Sequence, residues 1–296
     1  MNGRRGCGWP SAVLAVVLAM VASTVVVRPQ GAPPRRIVSL VPAVTEMLFA
    51  MGAGRAVVGV SSYDAFPPEA AALPKVGALV DPDFERILSL RPDLVILYGS
   101  QDELVTRLGR VRIPAFRYRH AGLADITATV RDVGARVGRA EAAQALAGTI
   151  ESDIEAIRRA TAGERRPATL LVFGREAGTL RGIYASAGVG FLHDMLIAAG
   201  GRDVLGDVAR ESLQMSVEEL LARAPEVIVE VHPSGNWTPP RLARERAVWA
   251  GLPGLPAVRT GHIHILSDDR LLIPGPRVAT AIRLLAETLH PAIAGR

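Results

Sequence analysis

At 296 residues, with 49% hydrophobic and 21% charged side chains, the chain can fill two domains of about 100–150 residues, and disordered, collagenous and coiled-coil classes are excluded. The formal charge of +5 comes from 33 arginines and Lys75 against 29 acids, scattered with no run of five cations, which argues against a nucleic-acid partner. Aromatics are only 4% of residues, so an aromatic near a candidate site is informative.

The chain opens with Arg4 and Arg5, then an uncharged apolar run at 12–27 (AVLAVVLAMVASTVVV), closed by Arg28, Pro29, Gln30 and Gly31. A positive start, an apolar centre and a polar break read as a secretory signal over residues 1–31. The run of 16 residues falls short of the ~20 needed to span a bilayer, but no clean Ala-x-Ala site follows it. An uncleaved anchor through residues 12–27 therefore stays open beside a cleaved signal, and a periplasmic or otherwise extracytoplasmic location is expected. Cys7 is the single cysteine and lies ahead of the apolar run, where it cannot serve as a lipoprotein acceptor. No disulfide, thiolate metal site or cysteine nucleophile is available after it.

Beyond the Pro-rich break, residues 36–40 (RIVSL) predict a buried strand and 42–51 (PAVTEMLFAM) a helix with proline at its start. Gly52 and Gly54 end that helix, and 56–60 (AVVGV) is the next strand. A short helix at 84–90, stopped by Pro92, leads to a strand at 94–98 (LVILY), and another strand is expected at 111–116. Residues 140–159 read as one long amphipathic helix, with Ala143, Leu146, Ile150, Ile154 and Ile157 on the apolar face. After Pro167 the pattern restarts with apolar segments at 168–173, 192–199, 227–231 and 262–266, and a C-terminal helix covers about 276–290. Alternating short strands and helices point to an α/β fold with open, mostly parallel sheets.

Two segments resemble each other across the long helix. Residues 84–96 (FERILSLRPDLVI) match 217–229 (VEELLARAPEVIV) at a constant offset of 133, pairing Glu85 with Glu218 and Pro92 with Pro225. This repeat predicts two similarly built lobes, 36–138 and 167–296, joined by a rigid connecting helix at 139–163, with a ligand cleft between them.

The familiar catalytic signatures are missing: no GxxxxGK, no GxGxxG between strand and helix, no GxSxG and no HExxH. Of the six histidines, His262 and His264 share one face of a strand, while His120, His193, His232 and His290 are dispersed. No nucleophile, base and oxyanion hole assemble from spacing.

Three stretches are similar to the periplasmic substrate-binding proteins of ABC importers for cobalamin, haem and ferric siderophores. They are RIVSLVPAVTEMLFAM (36–51) with VGVSSY (58–63) and FPP (66–68); VG (76–77) with DFERI (83–87) and RPDLVI (91–96); and GG (200–201) with MSVEEL (215–220) and PEVIV (225–229). The resemblance spans roughly residues 36–290. It implies two α/β lobes bridged by one long helix, a largely pre-formed cleft and no catalysis. It also implies that Glu85 and Glu218, one at the tip of each lobe, dock onto arginines of the membrane permease, which works with its ATPase.

The same resemblance places Tyr63 and Tyr98 of the first lobe and Tyr184 of the second on aromatic ligand-binding positions, with Phe66, Asp269, Arg270 and Arg277 as further cleft residues. Aromatic faces give a large planar ligand broad contact at little rotamer cost. The chain departs from the cobalamin pattern in lacking tryptophans ahead of Asp83 and near Ser212; past the leader only Trp237 and Trp249 occur. Cobalamin is the expected cargo, with haem or a ferric siderophore as alternatives. A Tyr63, Tyr98 or His193 axial ligand would suit haem, and arginines a ferric chelate. No resident cofactor or metal is expected, and a monomer is. From other classes, a two-lobed transferase and a Zn²⁺- or Mn²⁺-binding protein using His120, His193 and carboxylates stay open.

Overall fold

The computed structural model describes Gly3, residues 32–119 and residues 121–294, so the rest of the leader and His120 lie outside the described residues. From β1 (Ile37–Ser39) the chain passes through α1 (Pro42–Ala50), β2 (Val57–Val60), α2 (Pro68–Ala71), α3 (Phe84–Ser89), β3 (Leu94–Tyr98), α4 (Asp102–Arg110), β4 (Ala115–Tyr118) and α5 (Leu123–Arg136). The long α6 (Ala140–Thr161) leads to β5 (Ala168–Gly174), β6 (Ile183–Ser186), α7 (Phe191–Ala198), β7 (Arg202–Asp203), β8 (Ser212–Met215), α8 (Val217–Arg223) and β9 (Val227–His232). The chain then forms α9 (Pro239–Val248), α10 (Pro256–Thr260), β10 (Ile263–Ser267) and α11 (Val278–Leu289).

The first sheet has the order β2-β1-β3-β4, all parallel. The second runs β10-β9-β5-β6-β8, with β7 also paired to β5; β6 is antiparallel to both neighbours and the other pairs are parallel. Setting β6 and β8 aside, β7-β5-β9-β10 repeats the order of the first sheet.

The internal repeat is visible down to individual backbone groups. Asp83 caps α3 by accepting the Arg86 N–H at 2.9 Å, and Ser216, 133 residues on, caps α8 by accepting the Glu219 N–H at 3.1 Å. Arg91 and Ala224 both leave their helices in the left-handed region, at φ 46° and 45°. Asp93 then accepts the backbone N–H groups of Arg35 and Arg36 ahead of β1, and Glu226 accepts that of Ala168 at the start of β5. Each half thus uses one carboxylate to stitch the foot of its central strand to the strand beside it.

Strand alternation decides which core each side chain joins. Leu94 and Ile96 of β3, Leu171 of β5 and Val227, Val229 and Val231 of β9 face one continuous core shared with α1, α5, α6, α7 and α11. Their neighbours Val95 and Leu97 pack into an outer core of the first sheet, and Leu170, Val172 and Ile228 into an outer core of the second. Residues 32–296 consequently form one compact unit. α6, 22 residues and about 33 Å long, buries Ala143, Ala147, Ile150, Ile154 and Ile157 in the shared core. A Cβ on Gly134 would come within 2.1 Å of the Ala143 Cβ, so α5 and α6 touch backbone to backbone there. Arg131 clamps the same pair of helices with a forked ion pair to Glu151 at 2.8 and 2.9 Å.

The strand expected at 111–116 is displaced to Ala115–Tyr118. Val111 ends α4 and Arg112 turns at φ 56°, with the Ile113 N–H still donating to Leu108 O at 3.0 Å, so the chain cannot extend until Pro114 is passed. The apolar segment 192–199 forms the helix α7.

Candidate functional site

In parallel α/β sheets, ligands bind beyond the carboxyl ends of the strands, and the residues picked out by sequence gather there in both halves. In the first half, the segment after β2 is braced from within. Asp64 Oδ2 accepts the Ser61 N–H at 2.9 Å, Ser61 Oγ accepts the Tyr63 N–H at 3.1 Å, and Lys75 Nζ donates to the Asp64 carbonyl at 2.7 Å. This bracing holds Tyr63 outward, 73% exposed, while Asp64 is buried beneath it. Asp64 Oδ1 has no hydrogen-bond partner, and burial pushes the carboxyl above the usual aspartate range despite Thr45, Ser61 and Lys75.

Tyr98 ends β3 and meets Tyr118 edge to face, ring centroids 5.9 Å apart. Burial raises both phenols above their ordinary values. Gln101 accepts the Tyr98 N–H at 2.9 Å and donates to Leu79 O at 3.0 Å, pinning the neighbouring loop to the strand end. That loop presents Leu79 and Val80, the latter 88% exposed, at the place where the sequence lacks a tryptophan.

Phe66 and Arg277 meet, the guanidinium 4.0 Å from the ring centroid. Arg277, just ahead of α11, also donates Nε to Glu46 Oε2 of α1 at 2.8 Å. Burial raises the Glu46 carboxyl, against the opposing pull of Arg277. The clasp therefore ties the C-terminal segment to the first half, and Arg277 is already neutralised. Arg270 is likewise engaged, its Nε 2.8 and 2.9 Å from the two Asp268 carboxylate oxygens. Asp269 is tied to the loop after β9: its Oδ1 accepts the Ser234 N–H at 2.8 Å and its own N–H donates to Ser234 Oγ at 3.2 Å.

In the second half, Tyr184 of β6 lies opposite Gly174 at the end of β5, half-exposed, and its hydroxyl donates to Gln214 Oε1 at 3.2 Å. Beside it runs a buried network that sequence reasoning did not find. Glu230 accepts from Arg175 Nε at 3.1 Å and Trp249 Nε1 at 3.0 Å, and its Oε1 lies 2.7 Å from His232 Nε2. Burial opposes the charge, yet His232, Arg175 and Trp249 hold the Glu230 carboxyl below the usual range. Trp237 lies against His232, ring centroids 4.2 Å apart and tilted by 39°, and the Arg241 guanidinium sits 4.0 Å from the indole centroid. Its position five residues past an apolar strand was the available signal.

Glu85 and Glu218 are both exposed in the first turns of α3 and α8, at matching places in the two halves. Backbone and Ser216 hydrogen bonds hold the Glu218 carboxyl below the usual range, so it is ionised at neutral pH. Among the described residues no group of three or more His, Cys, Asp or Glu could hold a metal ion, and His193 Nδ1 is spent on Asp203 Oδ2 at 2.8 Å. None of the described helices is long and apolar enough to cross a membrane.

Known proteins are similar to this chain along most of its length. Residues 37–269 match the periplasmic binding protein family. The vitamin B12-binding protein of Salmonella typhimurium is 29% identical over 256 residues, covering 86% of this chain and 90% of that protein. Among solved structures, the periplasmic heme-binding protein RhuT from a Roseiflexus species in its apo form superposes with a TM-score of 0.74 at 28% identity, covering 89% of this chain and 100% of that one. The periplasmic vitamin B12-binding protein BtuF of Vibrio cholerae gives the same TM-score of 0.74 at 23% identity, covering 89% and 99%.

Proposed function

Because the chain belongs to the periplasmic binding protein family, as a solute-binding protein of ABC importers rather than an enzyme, we propose that it carries a cobalamin-type corrinoid between its two sheets. The observation that carries this choice within the family is the state of the cleft arginines. Arg277 is matched by Glu46 and Arg270 by Asp268, so neither offers a free cation to an anionic cargo. What remains for a ligand are exposed or half-exposed aromatic faces, Tyr63 and Phe66 in the first half and Tyr184 in the second. Such a surface suits a large ligand with broad apolar faces and little charge, and suits a ferric siderophore poorly. The vitamin B12-binding relative supports the same choice.

Haem is the second reading. The heme-binding neighbour at 28% identity favours it, as does Tyr63, a phenol held out into solvent with no side-chain hydrogen bond among the described residues. Its propionates, however, would compete with Glu46 and Asp268 for their arginines. On either reading Glu85 and Glu218 present exposed carboxylates at equivalent places in the two halves and dock the loaded protein onto arginines of the permease. The shared apolar core limits motion between the halves, so loading needs little closure.

Parallel calorimetric titration of cyanocobalamin, haemin and a ferric hydroxamate tests the choice. Submicromolar binding of cyanocobalamin alone is expected. Tight haemin binding with cyanocobalamin silent would transfer the assignment to haem, and silence from all three would overturn both readings.

A further inference from the structure

A cavity of about 510 Å³ opens at the amino-terminal ends of the first-sheet strands, opposite the strand ends that carry Tyr98 and the segment of Tyr63. Its walls are residues 32–35 ahead of β1, Gly52, Ala53, Arg55 and Ala56 between α1 and β2, and 137–139 in the turn from α5 to α6. Arg35, Arg55 and Arg139 supply all of its charge, and no acid lines it. This is a local concentration: beyond residue 31 the chain as a whole carries 31 basic against 29 acidic residues.

The walls are held in place. Asp93 accepts the N–H groups of Arg35 and Arg36 at 2.8 and 2.9 Å, so both of its oxygens are occupied by backbone. Pro33 packs against Gly138, whose φ of 69° would strain any other residue and whose missing Cβ leaves room for the proline ring. The Arg139 N–H donates to Gly134 O at 2.7 Å. Among the described residues, the guanidinium groups of Arg35, Arg55 and Arg139 have no hydrogen bond or ion pair. The contrast with the corresponding end of the second sheet is direct. There a cavity of about 600 Å³ contains Arg165, but Glu226 and Glu164 line it too, and Glu226 pairs with Arg165 at 2.6 Å.

We propose that the acid-free cavity binds a phosphate group through Arg35, Arg55 and Arg139. Each guanidinium fork matches two oxygens of a tetrahedral oxyanion, and a phosphate near −2 compensates three unpaired cations better than a single carboxylate does. The phosphate can belong to a soluble anion or to a lipid headgroup. Arg55 and Arg139 also border an adjoining cavity lined by Phe66, Arg277, Glu46 and Glu69, whereas Arg35 belongs to the acid-free cavity alone.

The test uses the full chain and the Arg55→Gln/Arg139→Gln double variant, both positions being exposed and neither contributing to the core. One arm titrates inorganic pyrophosphate by calorimetry at low salt. The other measures co-sedimentation with phosphatidylglycerol vesicles against phosphatidylcholine vesicles, which separates any contribution of the apolar leader from that of the charged headgroup. Pyrophosphate binding that weakens by about tenfold or more in the variant supports a soluble phosphate. A phosphatidylglycerol-dependent, salt-sensitive fraction that the variant loses, with pyrophosphate silent, supports a lipid headgroup. Absence of both signals in the parent chain, or signals that the variant retains in full, overturns the proposal. An unchanged melting temperature in the variant shows that any loss is local; if the variant fails to fold, Arg139→Gln alone is read the same way.

Discussion

Asp64 and Glu46 are two buried carboxyls that lie under the aromatic loop and the clasp, and both are raised above their ordinary values by burial. A carboxyl whose folded pKa is raised binds its proton more tightly in the folded state. Its contribution to stability is therefore full below about pH 4, the unfolded value, and is lost as pH rises through the folded value. Asp64→Asn keeps an acceptor for Ser61 and removes the ionisation. It should match the parent at acidic pH and exceed it in stability at neutral pH, read from denaturant melts across that range. Removing the other kind of partner has the opposite sign. Arg277→Ala strands the buried Glu46 charge and should cost about 3 kcal/mol at neutral pH, with the loss shrinking on acidification. A loss that ignores pH would contradict the pairing. These partners lie 231 positions apart, which is why the sequence suggested a cleft arginine at 277 but not that a carboxylate had already claimed it.

At the scale of elements, local pattern was a good guide wherever packing agreed with it. The strand at 94–98 is reproduced to the residue, and the helices at 42–51 and 84–90 to within one or two. Asp and Ser caps, prolines after the turn and alternating apolar residues are short-range signals, and they were all present. The misplaced strand at 111–116 failed because Arg112 adopts a left-handed turn that nothing in VRIPAF demands. Trp237 and the Glu230 network escaped for a related reason: a buried carboxylate in an apolar strand is explained largely by distant partners, Arg175 55 residues earlier and Trp249 19 residues later. The repeat itself makes a quantitative prediction. Ala224 holds φ 45°, where a Cβ is penalised and glycine is not. Ala224→Gly should therefore stabilise the protein by about 1 kcal/mol, seen as a higher melting temperature. No gain, or a loss, would mean that the turn is set by the neighbouring Pro225 rather than by its own strain.

At the scale of the molecule, two similarly built sheets share one core, with one exposed glutamate on each helix that precedes a central strand. Replacing Glu85 and Glu218 together with alanine should abolish uptake while leaving ligand affinity unchanged, because neither side chain is among the cleft aromatics. Lost affinity in that variant would assign the glutamates to the cleft instead. The family was legible because its motifs recur in fixed order along nearly the whole matched region; the cargo was less so, because it depends on which arginines remain free after folding.

The most direct test is the affinity of cyanocobalamin for the parent chain and for Tyr63→Ala and Tyr184→Ala, one aromatic face removed from each half. Submicromolar binding by the parent, weakened by about tenfold in each variant, is the predicted result, since a buried aromatic contact is worth on the order of 1–2 kcal/mol. Tight binding that neither substitution disturbs, or no binding by the parent at all, would contradict a corrinoid held between the two sheets.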